Sequence, residues 1–126
     1  MRPMSMSWFD ILLNSTISTT QYLKDNYQNV DFKVISQEEN GNKIVRVSEF
    51  IKDNKVVVHS SVEIDVEENP EVFIRLIRDK VIPIGDILKS NNYRVERKIL
   101  NNDSSSKEYV MMGDVDIKIT EKYYDM

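Results

Sequence analysis

Three short stretches, far apart in the chain, hold the residue types that could do chemistry. They are Val45-Arg46-Val47 with a turn at Asp53-Asn54, then Pro83-Ile84-Gly85-Asp86-Ile87-Leu88, then Ile119-Thr120-Glu121-Lys122-Tyr123. Arg46 and Glu121 each interrupt a hydrophobic, strand-like run, where a charge needs a reason. Between them a Pro-x-Gly turn opens a short helix. A cation, an anion and a turn of free backbone amides are what a pocket for a small carboxylic acid requires.

Each residue has a plainer reading. Strand alternation puts Ile44, Arg46, Ser48 and Phe50 on one face and Val45, Val47, Glu49 and Ile51 on the other. Both faces are mixed, so Arg46 is either a solvated strand arginine or a buried guanidinium offering its planar fork to a carboxylate. Glu121 extends the stripe of Ile117 and Ile119. It sits either at a frayed strand end or in a pocket, where a desolvated carboxyl can exchange protons near neutrality. Pro83-Ile84-Gly85 is a simple interhelical turn, or a place where glycine lets backbone approach a ligand closely. The hydroxyls of Ser15, Thr16, Ser18, Thr19 and Thr20 suit helix capping first and an anion-facing helix start second.

His59 beside Ser60 and Ser61 invites a hydrolase. Neighbouring strand residues face opposite sides, however, so His59 and Ser60 cannot form a dyad. His59 and Ser61 share a face but lack a glycine-lined nucleophile turn. Tyr93, Tyr109, Tyr123 and Tyr124 read as strand residues with an apolar body and a polar tip. Glu38-Glu39 and Glu67-Glu68 flank turns, read as solvated, and lack metal-ligand spacing.

The elements that must position these residues follow from periodicity. Trp8, Phe9, Ile11, Leu12 and Leu13 predict a short apolar helix, and Tyr22, Leu23 and Tyr27 a second one beginning within 15–20. Val30, Phe32, Val34 and Ser36 alternate as a strand. Asn40-Gly41-Asn42 and Asp53-Asn54 are turns, with further strands over 44–52 and 56–66, giving an antiparallel meander. Asn69 as a cap and Pro70 in the first turn start a helix with the apolar face Phe73, Ile74, Ile77 and Val81, which Pro83 stops. A short helix spans 84–89. Residues 93–100 form a strand, 101–106 a mobile polar loop, and 108–112 with 115–123 a last hairpin. The fold class is α+β: an antiparallel sheet of about six strands, with short helices at the N-terminus and in the middle.

Composition bounds the rest. The 126 residues, 40% hydrophobic and 30% charged, suit one domain, 1–126, around one core. A net charge of −4 gives no general attraction to nucleic acid. No apolar run approaches the roughly 18 residues of a membrane span, and Met1 to Ser7 lacks the apolar segment of a signal peptide. These features point to the cytoplasm. There is no cysteine and a single histidine, His59, which removes disulfides, thiolate sites and histidine clusters and predicts a metal-free protein. No heptad or long apolar strip indicates an oligomeric state.

Taken in order, these pieces resemble the chorismate lyase family, its archaeal branch especially. Ser18-Thr19-Thr20 ahead of Gln21-Tyr22-Leu23 matches the family's Ser-x-Thr helix start. Arg46 with Asp53-Asn54 matches its arginine-bearing strand and hairpin, and Ser60-Ser61 stands where a third strand ends in a small or hydroxyl residue. Pro83 to Leu88 matches a Pro-(Leu/Ile)-Gly-x-(Tyr/Ile)-Leu segment. Tyr93-Arg94-Val95-Glu96-Arg97 matches the following strand, and Ile119 to Tyr123 the closing Thr/Ile-x-Glu-x-(Phe/Leu) motif. Each motif is loose; their order and spacing over nearly the whole chain carry the resemblance.

The resemblance implies conversion of chorismate to 4-hydroxybenzoate and pyruvate with neither metal nor organic cofactor. It implies that Arg46 meets the ring carboxylate, with backbone amides at Thr19 and Ile84, next to Gly85, completing that site. Glu121 would sit at the other end of the ring, near the ether oxygen, so that Glu121 and Arg46 are the expected catalytic residues. Where family members carry further arginines, this chain has Ser60-Ser61 and Ser106-Lys107, and the Asp-Gly before the Ser-x-Thr segment is absent. Lys107, Arg94 and Arg97 are all candidates for chorismate's second carboxylate. The same fold forms the effector-binding domain of GntR-type regulators, so a non-catalytic sensor of a small carboxylic acid is the alternative. The segment before Ser18 is too short for the winged helix that precedes such sensors.

Overall fold

The order of elements is α1 (Asp10–Leu13), α2 (Thr19–Asn26), β1 (Val30–Asn40), β2 (Lys43–Lys52), β3 (Lys55–Asp65), α3 (Glu71–Arg78), α4 (Ile84–Ser90), β4 (Val95–Asn102), β5 (Ser106–Gly113) and β6 (Ile117–Tyr123). These come from a computed structural model that describes residues 7–126. Residues 1–6, most of the stretch read for a signal peptide, lie outside the described residues. The strands form one antiparallel sheet in the order β1-β2-β3-β6-β5-β4, the α+β architecture expected. No helix among the described residues is long and apolar enough to cross a membrane.

The meander closes where the chain tolerates positive φ. Asp53 and Asn54 lie at φ 50° and 69°, the backbone of a type I′ turn whose twist suits a hairpin. After β3, the α3–α4 pair carries the chain across the sheet to its far edge, and β5 and β6 return until β6 lies beside β3. All four helices cover one sheet face. Phe9, Leu12 and Leu13 around α1 pack with Phe50, Val57, Val58 and Tyr123. Phe73, Ile74, Ile77, Ile87 and Leu88 of α3 and α4 pack with Ile44, Val62, Ile64, Ile117 and Ile119. Burial of each such side chain contributes roughly 1.5–3 kcal/mol. The other face is open, with Lys33, Glu63, Lys98, Lys118 and Lys122 exposed.

The structure departs from the sequence reading in five places, each for a local reason. A bulge between Val34 and Ser36 shifts the β1 register. An added residue flips the alternation, so Gln37 rather than Ser36 stands opposite Arg46 on the helix-covered face. Helix α3 ends at Arg78, well before Pro83, because Lys80 adopts φ 60°, and Val81 is 69% exposed rather than part of the apolar face. Pro70, not Asn69, is the N-cap of α3. Asn69 instead ties β6 down: its Nδ2 donates to the Asp65 and Asp116 carbonyls, and its Oδ1 accepts from the Asp116 amide. Within 101–106, β4 runs on to Asn102 and β5 begins at Ser106, joined by a tight turn in which Asp103 Oδ1 accepts from the Ser105 and Ser106 amides at 2.9 and 2.8 Å. Ile11, read as packing, is 50% exposed on a helix of a single turn.

Gly113 ends β5 at φ 140°, and a Cβ there would lie 2.6 Å from the Arg94 carbonyl oxygen. Gly113→Ala is expected to destabilise the fold by about 1–3 kcal/mol, read as a lower urea midpoint with an unchanged slope. A midpoint equal to the parent's would contradict this account of the β5–β6 turn.

Candidate functional site

The two apolar clusters are separated by a polar row. Cross-strand register aligns Ser48 (β2), Ser60 (β3), Glu121 (β6) and Lys107 (β5) on the helix-covered face, and all four are buried. The adjacent row runs Gln37, Arg46, Val62, Ile119 and Tyr109. Arg46 and Glu121 are thus two strands and one row apart. In an unbent sheet, two strand spacings and one two-residue step place their Cα atoms about 12 Å apart.

Arg46 has no exposed surface and pairs with no carboxylate among the described residues. Neither open reading of the sequence describes it fully. Its Nε donates to Gln37 Oε1 at 2.9 Å, one terminal nitrogen to the Ile82 carbonyl at 2.8 Å, and the other to the Ile77 carbonyl at 2.9 Å. Gln37 closes the ring by donating to the same Ile77 carbonyl at 2.8 Å. A guanidinium has five N–H groups, so each terminal nitrogen keeps one unspent. Desolvation pulls the group down to about 10. Arg46 therefore both fastens β2 to the α3–α4 connection and retains the donors that a carboxylate needs.

Glu121 is 5% exposed, which removes the frayed-end reading. Its Oε1 accepts from Thr19 Oγ1 and from Tyr123 O–H, each at 2.8 Å. The Thr19 bond exists because Ser18 caps α2: the Ser18 hydroxyl accepts from the Gln21 amide at 3.2 Å, which fixes the helix start and turns Thr19 inward. The first amides of α2 and α4 have no acceptor within their own helices. The two starts touch at Gly85, where a Cβ would lie 2.8 Å from Thr20 Oγ1; only glycine permits so close a seam. Outside it, Lys24–Asp86 at 2.6 Å and Lys89–Gln21 at 3.2 Å clasp the helices together.

Arg46, Thr19, Ile84, Gly85 and Glu121 all line one internal cavity. The sequence-predicted set is brought together. The cavity is tight, at about 40 Å3, room for a few waters. It adjoins an outer hollow of about 390 Å3 between α2, α4 and β4, and the two share Ser18, Thr20, Gly85 and Arg97.

The three candidates for a second cation site separate cleanly. Lys107 is buried, but its Nζ donates to the Leu12 and Ser15 carbonyls at 2.6 and 3.2 Å. Burial pulls its pKa down, Glu121 opposes this and Arg97 adds to it. Arg94 is exposed and lines only the outer hollow. Arg97 lines both spaces, and its buried Nε has no partner among the described residues. His59 faces the open side, 3.3 Å from Glu49, away from Ser60. Among the described residues, no three His, Asp or Glu side chains gather closely enough to hold a metal ion.

Two residues here went unread in the sequence. Gln37 was hidden by the bulge. Tyr109, read as an ordinary strand tyrosine, is buried and lines the cavity; its alternation with Lys107 and Met111 was the available signal. No protein-family model matches this sequence, and no curated protein matches it significantly.

Burial first, and the Glu121 charge second, raise both Tyr109 and Tyr123 above the usual tyrosine value of 10.0. Above pH 10 the folded state then holds protons that the unfolded state has lost, so stability falls as pH rises. In an alkaline titration, two of the six tyrosines should ionise only as the fold is lost, giving a late rise in phenolate absorbance that coincides with the far-UV change. Ionisation of all six with the fold intact would contradict the buried cluster.

Proposed function

We propose that this chain is a cofactor-independent lyase acting on chorismate, releasing pyruvate and leaving 4-hydroxybenzoate. The observation that carries the reading is the buried Arg46 cation, without a carboxylate partner, in the same cavity as the buried Glu121 carboxylate. A ring acid with one carboxylate and a proton to lose at its far end complements that pair.

The reaction needs little beyond these groups. The ring C–O bond to the enolpyruvyl oxygen breaks and its electron pair leaves on that oxygen. Loss of the proton on the neighbouring, hydroxyl-bearing ring carbon closes the aromatic sextet. The released enolate gains a proton at its methylene carbon and becomes pyruvate, balancing the proton lost from the ring. No electrons are exchanged with another species, and aromatisation drives the product side. In this reading Arg46 and the amides of Thr19 and Ile84 hold the ring carboxylate, with Gly85 allowing the close approach. Glu121 takes the ring proton, while Thr19 and Tyr123 hold its carboxyl still. A closed, dry cavity strengthens both charge contacts.

Binding also needs space. Ligand pockets run to roughly 300–1,000 Å3, beyond the inner cavity alone but within reach of that cavity and the adjoining hollow together. The α2–α4 seam lies between them, and its exposed clasps are each worth no more than about 1 kcal/mol. Opening there is inexpensive.

A second reading, a non-catalytic sensor of a small aromatic acid, draws support from one feature. Much of the polar capacity of Arg46 and Glu121 is already spent inside the fold. Incubation of the purified protein with chorismate, without added metal, separates the two. The lyase releases 4-hydroxybenzoate and pyruvate in equal amounts, Glu121→Gln slows turnover about 10²-fold, and Arg46→Met mainly weakens binding, by about 10- to 100-fold for a charged hydrogen bond. Arg46-dependent binding of 4-hydroxybenzoate without release favours the sensor. No binding, or unchanged kinetics in both folded variants, rejects the site.

A further inference from the structure

The sheet ends on one side at β1, which pairs only with β2. An edge strand presents a row of unpaired amides and carbonyls, a template for another strand. The Asp53 amide donates to the Asn29 carbonyl, and this bond sets the phase of the β1–β2 ladder. Bonds alternate along an antiparallel pair, so Asp31 and Lys33 turn their backbone groups toward β2. Val30, Phe32 and Val34 turn theirs outward, and no loop among the described residues takes them up. The side chains of these three are half-buried on the helix-covered face, and Val30 and Phe32 pack against the cluster around α1. Asp31 and Lys33 are exposed on the open face, and neither joins an ion pair among the described residues.

This pattern is complementary to itself. A two-fold axis through Phe32, perpendicular to the sheet, sets Phe32 against its own copy, Val30 against Val34, and Asp31 against Lys33. The outward groups of all three apolar residues then pair across the axis, in about six backbone hydrogen bonds. Both Asp31–Lys33 couples fall at the positions without backbone bonds, where facing side chains stand closest. Moving the axis by one residue, onto Asp31 or Lys33, puts like charges opposite each other and takes the bonding groups out of phase. The bulge at Ile35 ends the regular stretch and confines the match to residues 30–34.

We propose that β1 is a self-pairing edge, at which two copies of this chain join into one continuous antiparallel sheet with both helical layers on the same face. Phe32 also lines the inner cavity, so the two cavities lie on either side of the axis, backed by the Phe32 pair. The outer hollow is bordered by β4, at the opposite edge of the sheet, and stays open. The joint is independent of what the cavity binds. About five residues a side fall well short of the roughly 20–30 of a standard interface, so the dimer is weak, with dissociation near roughly 100 μM.

Sedimentation equilibrium and amide hydrogen exchange, each followed from about 10 μM to about 1 mM protein, test this. The mean mass is expected to climb toward that of two chains. Exchange at the Phe32 and Val34 amides should slow in step, while that at Asp31 and Lys33, already bonded to β2, stays unchanged. D31K and K33D each set like charges across the axis twice, and each is expected to raise the dissociation constant about tenfold. An equimolar mixture of the two variants restores the wild-type affinity, because opposite charges then meet again; circular dichroism checks that both are folded. A wild-type chain that stays monomeric at about 1 mM overturns the proposal. So does association that leaves Phe32 and Val34 exchange unaltered, or a mixture that binds no more tightly than either variant alone.

Discussion

A fully buried guanidinium with no carboxylate partner is the constraint on which this fold turns. Removing such an ion from water costs several kcal/mol even after relaxation, and the chain offsets that with oriented dipoles. The Ile77 carbonyl belongs to the last turn of α3, where unpaired carbonyls carry partial negative charge, and the Ile82 carbonyl follows in the connection. To deliver Gln37 as the third acceptor, β1 carries a bulge that reverses its alternation. Three irregular features of the chain, the bulge, the left-handed Lys80 that stops α3, and the bend before Pro83, all lie around Arg46. The compensation is incomplete, since the group is still pulled down to about 10. An anion in the cavity would complete it.

The same logic extends along the polar row. Each part of the helical layer is tied to the sheet by one buried polar side chain as well as by apolar packing. Lys107 holds the end of α1 and the segment after it, Glu121 holds Thr19 of α2, and Arg46 holds the α3–α4 connection. The residues that form the cavity are therefore also the residues that position its walls. This double use explains why the cavity is small in the closed fold, and why the seam at Gly85 is the compliant part of it. It also means that substitutions at Arg46 or Glu121 act on stability and on binding together, so that a conservative exchange is more informative than truncation.

Much of this was legible in the sequence, for reasons that differ from residue to residue. Strand alternation in β2 and β6 is regular, so Arg46 joined Ile44 and Phe50 on one face and Glu121 joined Ile117 and Ile119, and both positions are buried. Asp53-Asn54 announced its turn through residues that accept positive φ. What was not legible depended on register or on distant partners. The bulge at Ile35 adds one residue that no local propensity marks, so Ser36 and Gln37 exchanged faces. Asn69 has the chemistry of a cap but bonds across to Asp116, a choice made by tertiary contact. That Lys107 spends its ammonium on the Leu12 and Ser15 carbonyls depended on a contact across the fold, and periodicity cannot report that. Residues 101–106 are polar enough for a loop, yet Asp103 folds them into a turn short enough for both strands to continue.

The central claim is that the Arg46 end of the cavity takes a ring carboxylate and the Glu121 end faces the opposite side of the ring. A crystal structure with 4-hydroxybenzoate bound tests it most directly. The account predicts the carboxylate on the two unspent Arg46 donors, the ring between the two rows, and the hydroxyl toward Glu121, with α2 and α4 drawn apart at Gly85. A ligand bound in the reverse sense, or confined to the outer hollow with the Arg46 contacts unchanged, would contradict it.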